Sequence, residues 1–279
     1  MVICKTVHSL EEVCASIGTD TVTGFIPTLG ALHEGHASLI LEARSRGRFT
    51  ICSVFVNPTQ FNDPSDYAKY PKTLDQDILT LEKSGVDVLF LPSVEEIYPG
   101  GTQLEKRYDL GYLETILEGR YRPGHFQGVC QVVERLLRIV RPDELYMGQK
   151  DYQQCMVLKR LIQIEQLPAT MIICPTQRAP GGLALSSRNL RLDPAQRESA
   201  VALYKTLQFV KSHLAPGPLA ALKEQAKTGL EAEGFRVDYV EIAAQGDLRL
   251  LDAWDGKQPA IALVAAYLGE VRLIDNLFL

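Results

Sequence analysis

Two histidines three residues apart stand where a predicted strand runs into a predicted helix. They belong to residues 27–36, PTLGALHEGH, a segment that also contains two glycines. Glycine lets the backbone approach a ligand closely, and the free N–H groups of a helix N-terminus attract anions such as phosphate. If His33 and His36 both lie in the first helical turn, their spacing puts the imidazoles on one side, where both can donate hydrogen bonds. The segment therefore favours binding of a nucleotide phosphate chain.

Other interpretations of this segment stay open. The pair is also compatible with two unrelated surface histidines or with half of a metal site. The metal interpretation is weakened because HEGH is one residue short of the HExxH zinc motif and no further ligand set is evident. Neither a GxGxxG nor a GxxxxGK[ST] sequence occurs in the chain, so the dinucleotide-binding and Walker A motifs lose their main support.

Polar residues follow the second predicted strand and open the next helix. Asn57 and Gln60 could orient a small polar ligand, although an Asn-Pro pair is equally typical of an ordinary turn. Asp75 and Asp77 open a helix that follows Pro71. Carboxylates at that place can help to hold Mg²⁺ with phosphate oxygens, or they can simply complement the helix dipole. The second interpretation is favoured for Asp75.

Three later loops combine basic or hydroxyl side chains with glycine. Residues 119–129 contain two arginines and a histidine just before a helix. Residues 146–154 join a short predicted strand to a helix and carry Lys150, a point charge suited to phosphate, although a lone lysine is more typical of a solvated surface. Residues 182–189 supply two hydroxyls and the Arg188 guanidinium, a set that can clamp phosphates from a loop.

The elements that must position these loops predict an α/β fold. Short β-branched or aromatic runs predict strands at residues 24–27, 49–57, 86–92 and 170–175. Between them, apolar residues three and four apart predict helices at residues 37–46, 73–84, 127–140 and 152–166. This alternation is typical of a Rossmann-like, doubly wound parallel sheet, which binds ligands outside the carboxyl ends of its strands.

The pattern changes after Asn189. A long helix is predicted over residues 193–214, a break at 216–218, a second helix over 219–233, and strands at 235–243 and 259–268. These elements predict a smaller C-terminal α+β domain. We therefore expect two domains, a Rossmann-like domain at residues 1–178 and a smaller one at residues 179–279 that begins with the Ser-Ser-Arg loop.

Composition narrows the class of protein. The chain has 279 residues, is 46% hydrophobic and 23% charged, and carries a formal net charge of −5, which excludes disordered, collagen-like and coiled-coil proteins. The acidic balance argues against nucleic-acid and membrane partners. The six cysteines form no CxxC pair and no signal peptide is visible, so we expect reduced thiols and a cytoplasmic location. Residues 260–268 are apolar but too short to span a bilayer.

Eight segments of the chain together resemble one family. They are PTLGALHEGH, VFVNPTQF, DYAKYP, EIYP, LEGRYRPGHFQGV, GQKDYQQ, GLALSSRN and the terminal RLIDN. In this order they resemble the pantothenate synthetases, or pantoate–β-alanine ligases, of the HIGH-motif nucleotidylyltransferase superfamily. The resemblance covers nearly the whole chain.

The resemblance implies a reaction and its requirements. It implies ATP-dependent condensation of pantoate with β-alanine through an enzyme-bound pantoyl adenylate, with release of pyrophosphate and then of AMP. It also implies a requirement for Mg²⁺ and a homodimer. Residues 1–178 would bind nucleotide and pantoate, and the C-terminal domain at residues 179–279 would close as a lid over ATP.

The same resemblance assigns roles to individual residues. ATP would be bound by Leu29, Gly30, Ala31, Leu32, His33, Glu34, Gly35, His36, Gly148, Gln149, Lys150, Asp151, Gln177, Leu185, Ser186, Ser187 and Arg188. Catalysis would fall to His36, His33, Lys150 and Arg188. Gln60 and Gln154 would hold pantoate, with Gln60 also near β-alanine, and Asp77 would lie near Mg²⁺.

One position departs from the family pattern. The family usually has Asp-Gly-Leu-Ala before the serines, whereas Gly181 stands here where the aspartate is expected. The missing carboxylate raises the question of how the loop is anchored. Two alternatives stay beside the ligase, and only the second of them is suggested by Gly181. One is another acyl-adenylate former or nucleotidylyltransferase, and the other is a catalytically impaired or regulatory homologue that binds ATP.

Overall fold

The computed structural model describes residues 1–61 and 67–279. Asn62, which follows the second strand loop, and Asp66, which begins the DYAKYP segment, lie outside the described residues. The chain divides into two compact units. The first comprises residues 1–148 and 157–175, and the second comprises residues 149–156 and 176–279. The turn and first helical residues at 149–156 thus group with the second unit.

The first unit is a six-stranded parallel sheet with helices between the strands. Its strands are β1 (Val2–Cys4), β2 (Thr23–Thr28), β3 (Phe49–Val54), β4 (Val88–Phe90), β5 (Glu144–Gly148) and β6 (Thr170–Cys174). Its helices are α1 (Val7–Ala15), α2 (Glu34–Ser45), α3 (Leu74–Ser84), α4 (Val94–Ile97), α5 (Leu117–Tyr121), α6 (His125–Val140) and most of α7 (Tyr152–Ile164). The strand order is β1-β4-β3-β2-β5-β6. This order confirms the predicted doubly wound sheet.

The central strands are buried on both faces, as parallel strands covered by helices must be. Phe25, Ile26, Ile51 and Leu89 have no exposed surface. Because β2 and β3 are parallel neighbours, with Thr28 paired to Val54, the loops that follow them leave the same edge of the sheet. The fold therefore places the histidine turn and the Asn57–Gln60 turn side by side.

Several element boundaries differ from the prediction. Helix α2 begins at Glu34, three residues before the predicted start, because the His33 side chain caps it and histidine is not a typical N-cap residue. Strand β3 ends at Val54 rather than at Asn57, since a short 3-10 turn at Pro58–Gln60 follows with Asn57 as its cap. Strand β1 was missed, because it has three residues and two of them are exposed.

The second unit is built on a three-stranded antiparallel sheet in the order β11-β10-β8. Its helices are α8 (Pro194–Ser199), α9 (Ala202–His213) and α10 (Ala220–Ala232), and its strands are β7 (Gly217–Pro218), β8 (Arg236–Ala244), β9 (Ala253–Trp254), β10 (Ala260–Leu268) and β11 (Val271–Phe278). The single helix predicted over 193–214 was wrong, because it is interrupted at residues 200–201. Strand β11 was missed, because two polar residues, Asp275 and Asn276, break its apolar pattern.

The core of the second unit lies between this sheet and its helices. Leu207 and Val210 of α9 pack in one cluster with Ile242 of β8 and Val264 of β10, all fully buried. The unit therefore has an apolar core of its own, as an α+β domain requires. Within residues 1–61 and 67–279, no helix combines the length and the apolar character needed to cross a membrane.

Candidate active site

The turn that follows β2 has two consecutive residues in the left-handed region. Gly30 has φ 80° and Ala31 has φ 51°, a conformation that costs little for glycine but is strained for alanine. Thr28 supports the turn, because its Oγ1 accepts a hydrogen bond from the Gly30 N–H at 3.3 Å and donates one to the Ser53 carbonyl at 2.7 Å. Thr28 thus links the turn to the end of the neighbouring strand β3.

A buried carboxylate accepts hydrogen bonds from the backbone of this turn. Asp77, in the first turn of α3, is only 1% exposed. Its Oδ2 accepts from the Ala31 N–H at 3.0 Å, and its Oδ1 accepts from the Leu32 N–H at 2.8 Å and from Thr73 Oγ1 at 3.0 Å. A Cβ on Gly30 would lie 3.0 Å from Oδ2. Asp77 is therefore the acceptor that compensates the strained backbone of the turn.

The two histidines lie together at the N-terminus of α2. His33 is the N-cap residue, and its Nδ1 accepts from the Gly35 N–H at 3.1 Å. His36 Nδ1 accepts from the His33 N–H at 3.3 Å, and the ring centroids are 4.1 Å apart. An accepting Nδ1 in a neutral imidazole places the proton on Nε2. Both rings can thus offer an N–H donor beside the positive end of the helix.

Asp77 was predicted to lie near Mg²⁺, and its contacts bear on that role. Both of its oxygens already accept hydrogen bonds from the turn and from Thr73. Direct coordination would compete with these bonds. Within residues 1–61 and 67–279, no cluster of three or more His, Cys, Asp or Glu side chains could hold a metal ion. The described residues fit a metal held mainly by phosphate oxygens and water, the usual arrangement for Mg²⁺ bound with a nucleotide.

The Asn57–Gln60 turn is organised by the buried Asn57 side chain. Its Oδ1 accepts from the Thr59 N–H at 3.3 Å and from the Tyr98 hydroxyl at 2.8 Å. Its Nδ2 donates to Gln60 Oε1 and to the Gly128 carbonyl, each at 3.3 Å. The amide of Asn57 therefore orients the Gln60 carboxamide, the group expected to hold pantoate.

Helix α6 packs against the same turn through its first residues. A Cβ at Gly128 would lie 2.0 Å from the Thr59 carbonyl oxygen, so only glycine fits there. His125 Nδ1 lies 2.8 Å from the Gln60 carbonyl, and Arg122 Nη1 lies 3.0 Å from His125 Nε2. Sequence reasoning singled out residues 119–129 but assigned no role to individual members. The structure shows that this segment supports the Gln60 turn.

In the second unit, Lys150 lies in a 3-10 turn at Gln149–Asp151. Its side chain is 18% exposed, with Nζ 3.6 Å from Asp151 Oδ1. The turn is held by Asn276 of β11, which donates from Nδ2 to the carbonyls of Gln149 and Lys150, each at 2.9 Å. Gln154 follows as a half-buried residue at the start of α7. The position of Lys150 is thus fixed through its backbone.

The loop that carries the predicted serines and arginine begins as a narrow hairpin. The Leu185 N–H donates to the Gln177 carbonyl at 2.9 Å, and the Ala179 N–H donates to the Leu183 carbonyl at 2.8 Å. The Ser186 side chain then caps a 3-10 turn at Ser187–Arg191 by accepting from the Arg188 N–H at 3.3 Å. The hairpin therefore leads directly into the Ser-Ser-Arg segment.

The hairpin is anchored without the carboxylate that Gly181 lacks. Arg178 forms a bidentate pair with Asp275 of β11, at 2.6 and 3.0 Å, and donates to the Gly182 carbonyl at 3.0 Å. Its guanidinium lies 4.0 Å from the centroid of the Tyr204 ring. Gly182, at φ 107°, has no room for a side chain, since a Cβ would lie 2.2 Å from that ring. This answers the anchoring question raised by Gly181.

The cysteines are free and mostly buried. All six are free thiols, and five of them are buried. Burial raises the pKa of the Cys174 thiol to about 11 and that of Cys52 still further. A protonated, buried thiol is a poor nucleophile. This agrees with the prediction of reduced, packed cysteines.

The structure brings the predicted residues together in two groups, one in each unit. In the first unit, the histidine turn and the Gln60 turn leave the same edge of the sheet. In the second unit, the Lys150 turn and the 177–185 hairpin are both held by β11. Sequence reasoning missed the supporting residues Arg178, Asp275 and Asn276. The only signal for two of them was the RLIDN segment, which was noted for its resemblance alone.

Comparison with known proteins gives the family. A family model described as pantoate-beta-alanine ligase matches residues 2–278. A pantothenate synthetase from Pseudomonas putida is 44% identical over 278 residues, covering 99% of this chain and 96% of the relative. One from Bacteroides thetaiotaomicron is 40% identical over 278 residues, covering 98% of each chain.

Solved structures agree with the sequence comparisons. The pantothenate synthetase of Thermus thermophilus superposes with a TM-score of 0.89 at 40% identity, covering 99% of each chain. A pantoate-beta-alanine ligase of Francisella tularensis, solved in complex with beta-gamma ATP and beta-alanine, superposes with a TM-score of 0.84 at 39% identity, covering 100% of this chain and 97% of the other. The chain therefore belongs to the pantoate–β-alanine ligase family.

Proposed function

We propose that this enzyme condenses pantoate with β-alanine to give pantothenate, at the expense of ATP, through a pantoyl-adenylate intermediate. The observation that carries the proposal is the pair of imidazoles at the N-terminus of α2, which offer Nε2 donors to phosphate in a chain of this family. No feature of the described residues favours the catalytically impaired or regulatory alternative, since the loop that prompted it is anchored by Arg178.

The first step is attack of a pantoate carboxylate oxygen on the α-phosphorus of ATP, with pyrophosphate leaving. A carboxylate needs no strong base to attack, so catalysis consists of in-line positioning and stabilisation of the charge that spreads over phosphate oxygens. His33 and His36 would donate from Nε2, with His36 also as the general acid. Lys150 and Arg188 would add positive charge.

The second step is attack of the neutral β-alanine amine on the acyl carbon of the adenylate. The C–N bond forms as the C–O bond of the adenylate breaks, AMP leaves with the oxygen that came from pantoate, and the amine nitrogen releases a proton. Because the adenylate is already activated, the enzyme has to position the amine and keep water away. Gln60, whose carboxamide is oriented by Asn57, and Gln154 would hold pantoate, with Gln60 also near the amine.

The remaining ATP contacts would come from three loop segments. They are Leu29, Gly30, Ala31, Leu32, Glu34 and Gly35 in the histidine turn, Gly148, Gln149 and Asp151 near Lys150, and Gln177, Leu185, Ser186 and Ser187 in the later loop. Residues 179–279 would act as a lid domain over residues 1–178.

Mg²⁺ would accompany ATP and neutralise phosphate charge when bound. Phosphate oxygens and water would supply most of its ligands, and Asp77, whose oxygens accept from the turn, would lie nearby. We also propose a homodimer in the cytoplasm, which sedimentation or light scattering of the purified chain and fractionation of cells would test.

The test of the proposed first step is isotope exchange between pyrophosphate and ATP. The purified chain, with ATP, Mg²⁺ and labelled pyrophosphate but without β-alanine, should incorporate label into ATP only when pantoate is present. Nicotinate- and choline-type phosphates serve as matched controls for other nucleotidylyl transfers and should give no exchange. Exchange without pantoate, or none with it, would contradict the proposal.

A further inference from the structure

Two consecutive polar residues lie buried in β11. Asp275 is 4% exposed and Asn276 is 2% exposed, in a strand whose neighbours Leu273 and Val271 belong to the apolar core. Burying a carboxylate and a carboxamide is unfavourable unless every polar atom finds a partner. The hydrogen-bond partners of these two side chains therefore indicate which segments the residues hold in place.

Asp275 holds the start of the 177–185 hairpin. Its two oxygens accept from the two terminal nitrogens of Arg178 at 2.6 and 3.0 Å, the planar bidentate arrangement that is the strongest form of this pair. The Asn276 N–H also donates to Asp275 Oδ1 at 2.8 Å. Arg178 in turn links the two strands of the hairpin, because it also donates to the Gly182 carbonyl. It donates to the Asn276 carbonyl as well, at 3.2 Å.

Asn276 holds the Lys150 turn. Its Nδ2 donates to the carbonyls of Gln149 and Lys150, and its Oδ1 accepts from Gln149 Nε2 at 3.1 Å. Every polar atom of this side chain is thus used on one turn. Two of these three hydrogen bonds go to the backbone of the turn that carries Lys150, a predicted phosphate ligand.

We propose that Asp275 and Asn276 are positioning residues that fix the Lys150 turn and the hairpin leading to Arg188 in one rigid frame for nucleotide binding. This inference rests on the proposed function, since it is in that function that Lys150 and Arg188 bind the phosphates of ATP. In this role the two residues act through Arg178 and the Lys150 turn rather than on the substrate itself. A purely structural role predicts loss of stability alone, whereas a positioning role predicts a selective loss of nucleotide affinity.

Two isosteric variants test the proposal. Asn276→Asp replaces the Nδ2 donor by an oxygen that faces two carbonyls, and Asp275→Asn breaks one half of the bidentate pair. The matched control is Asp238→Asn, which removes the carboxylate that accepts from Arg272 Nε at 2.7 Å in the same sheet. The side chains of Asp238 and Arg272 are about as little exposed as those of Asp275 and Arg178.

We expect both test variants to weaken ATP binding, measured by titration calorimetry, by about tenfold or more, the effect of one or two lost hydrogen bonds. Amide hydrogen exchange at residues 149–151 and 178–185 should accelerate by about tenfold or more, because these segments lose their anchor. The KM for pantoate should change much less than the KM for ATP. Asp238→Asn should leave ATP binding and exchange in these segments unchanged.

Three results would overturn the inference. They are unchanged ATP affinity in both folded test variants, an equal loss in the Asp238→Asn control, or unchanged exchange at the two segments. Failure of the proposed function gives a different result. In that case the unmodified chain makes no pantothenate, while calorimetry and exchange still report whether β11 fixes the two segments.

Discussion

Replacing Asp77 by asparagine should destabilise the folded chain even when no nucleotide or metal is present. Asp77 is 1% exposed and accepts from the N–H groups of Ala31 and Leu32 and from Thr73 Oγ1. An asparagine oxygen can replace one carboxylate oxygen, but its NH₂ group then faces the other backbone N–H. One hydrogen bond to a charged acceptor is lost and a buried donor is left unpaired.

The expected loss is about 2 kcal/mol, since a hydrogen bond to a charged group contributes about 1.5–3 kcal/mol. Asp77→Ala should cost more, about 3–5 kcal/mol, because all three donors lose their acceptor and Ala31 keeps its left-handed backbone. Asp75→Asn is the matched control. Asp75 lies two residues earlier in α3 and is exposed, so its substitution should change the free energy of unfolding by less than about 0.5 kcal/mol.

The assay is urea unfolding of the three variants in EDTA, followed by pantoate-dependent ATP–pyrophosphate exchange over a range of Mg²⁺ concentrations. We expect Asp77→Asn to show the stability loss in EDTA and a raised KM for ATP. Two results together would refute the turn-anchor account. Asp77→Asn and Asp75→Asn would be equally stable in EDTA, and excess Mg²⁺ would return the KM for ATP of Asp77→Asn to the value of the unmodified chain. That result would make Asp77 a metal ligand instead.

Three further predictions follow from the structure. Lys150→Ala should lower the rate of adenylate formation by a factor on the order of 10²–10³ with unfolding unchanged, and near-normal pyrophosphate release would contradict its role. Gly128→Ala should weaken pantoate binding, because its Cβ would lie 2.0 Å from the Thr59 carbonyl, and an unchanged KM for pantoate would be the contrary result. The hydrogen bonds from Arg48 lower the pKa of Glu144, so the stability that Glu144 contributes is present above its unfolded-state pKa and is lost as the pH falls through its folded-state pKa. The stability difference between the unmodified chain and Glu144→Gln, measured by urea unfolding, should therefore be largest near pH 7 and shrink below about pH 4, and a difference independent of pH would contradict this.

Local sequence patterns were sufficient for the elements that carry most of the site. A strand, a glycine turn and a helix predicted the loop at residues 27–36. The rings of His33 and His36 do lie together, although His33 is the extended N-cap residue and does not lie in the first helical turn, as the spacing argument assumed. The parallel sheet followed from the alternation of strands and helices. These features depend on residues close together in the chain, which is why periodicity and turn chemistry show them.

The supporting contacts depend on residues far apart in the chain. Asp77 lies 46 residues from Ala31, and Asp275 lies 97 residues from Arg178. The same carboxylate at the start of a helix is compatible with a dipole partner, a metal ligand or a turn anchor, and only the fold distinguishes them. Strand β11 was missed for a related reason, since its buried Asp275 and Asn276 resemble loop residues until their partners are known.

The central claim is that pantoate is activated by adenylation and that its oxygen leaves with AMP. Pantoate labelled with ¹⁸O in both carboxylate oxygens, incubated with the enzyme, ATP, Mg²⁺ and β-alanine, tests this directly by mass spectrometry of the products. The account predicts one ¹⁸O in the phosphate of AMP and one in the amide carbonyl of pantothenate. Unlabelled AMP, or ¹⁸O in inorganic phosphate formed together with ADP, would contradict it.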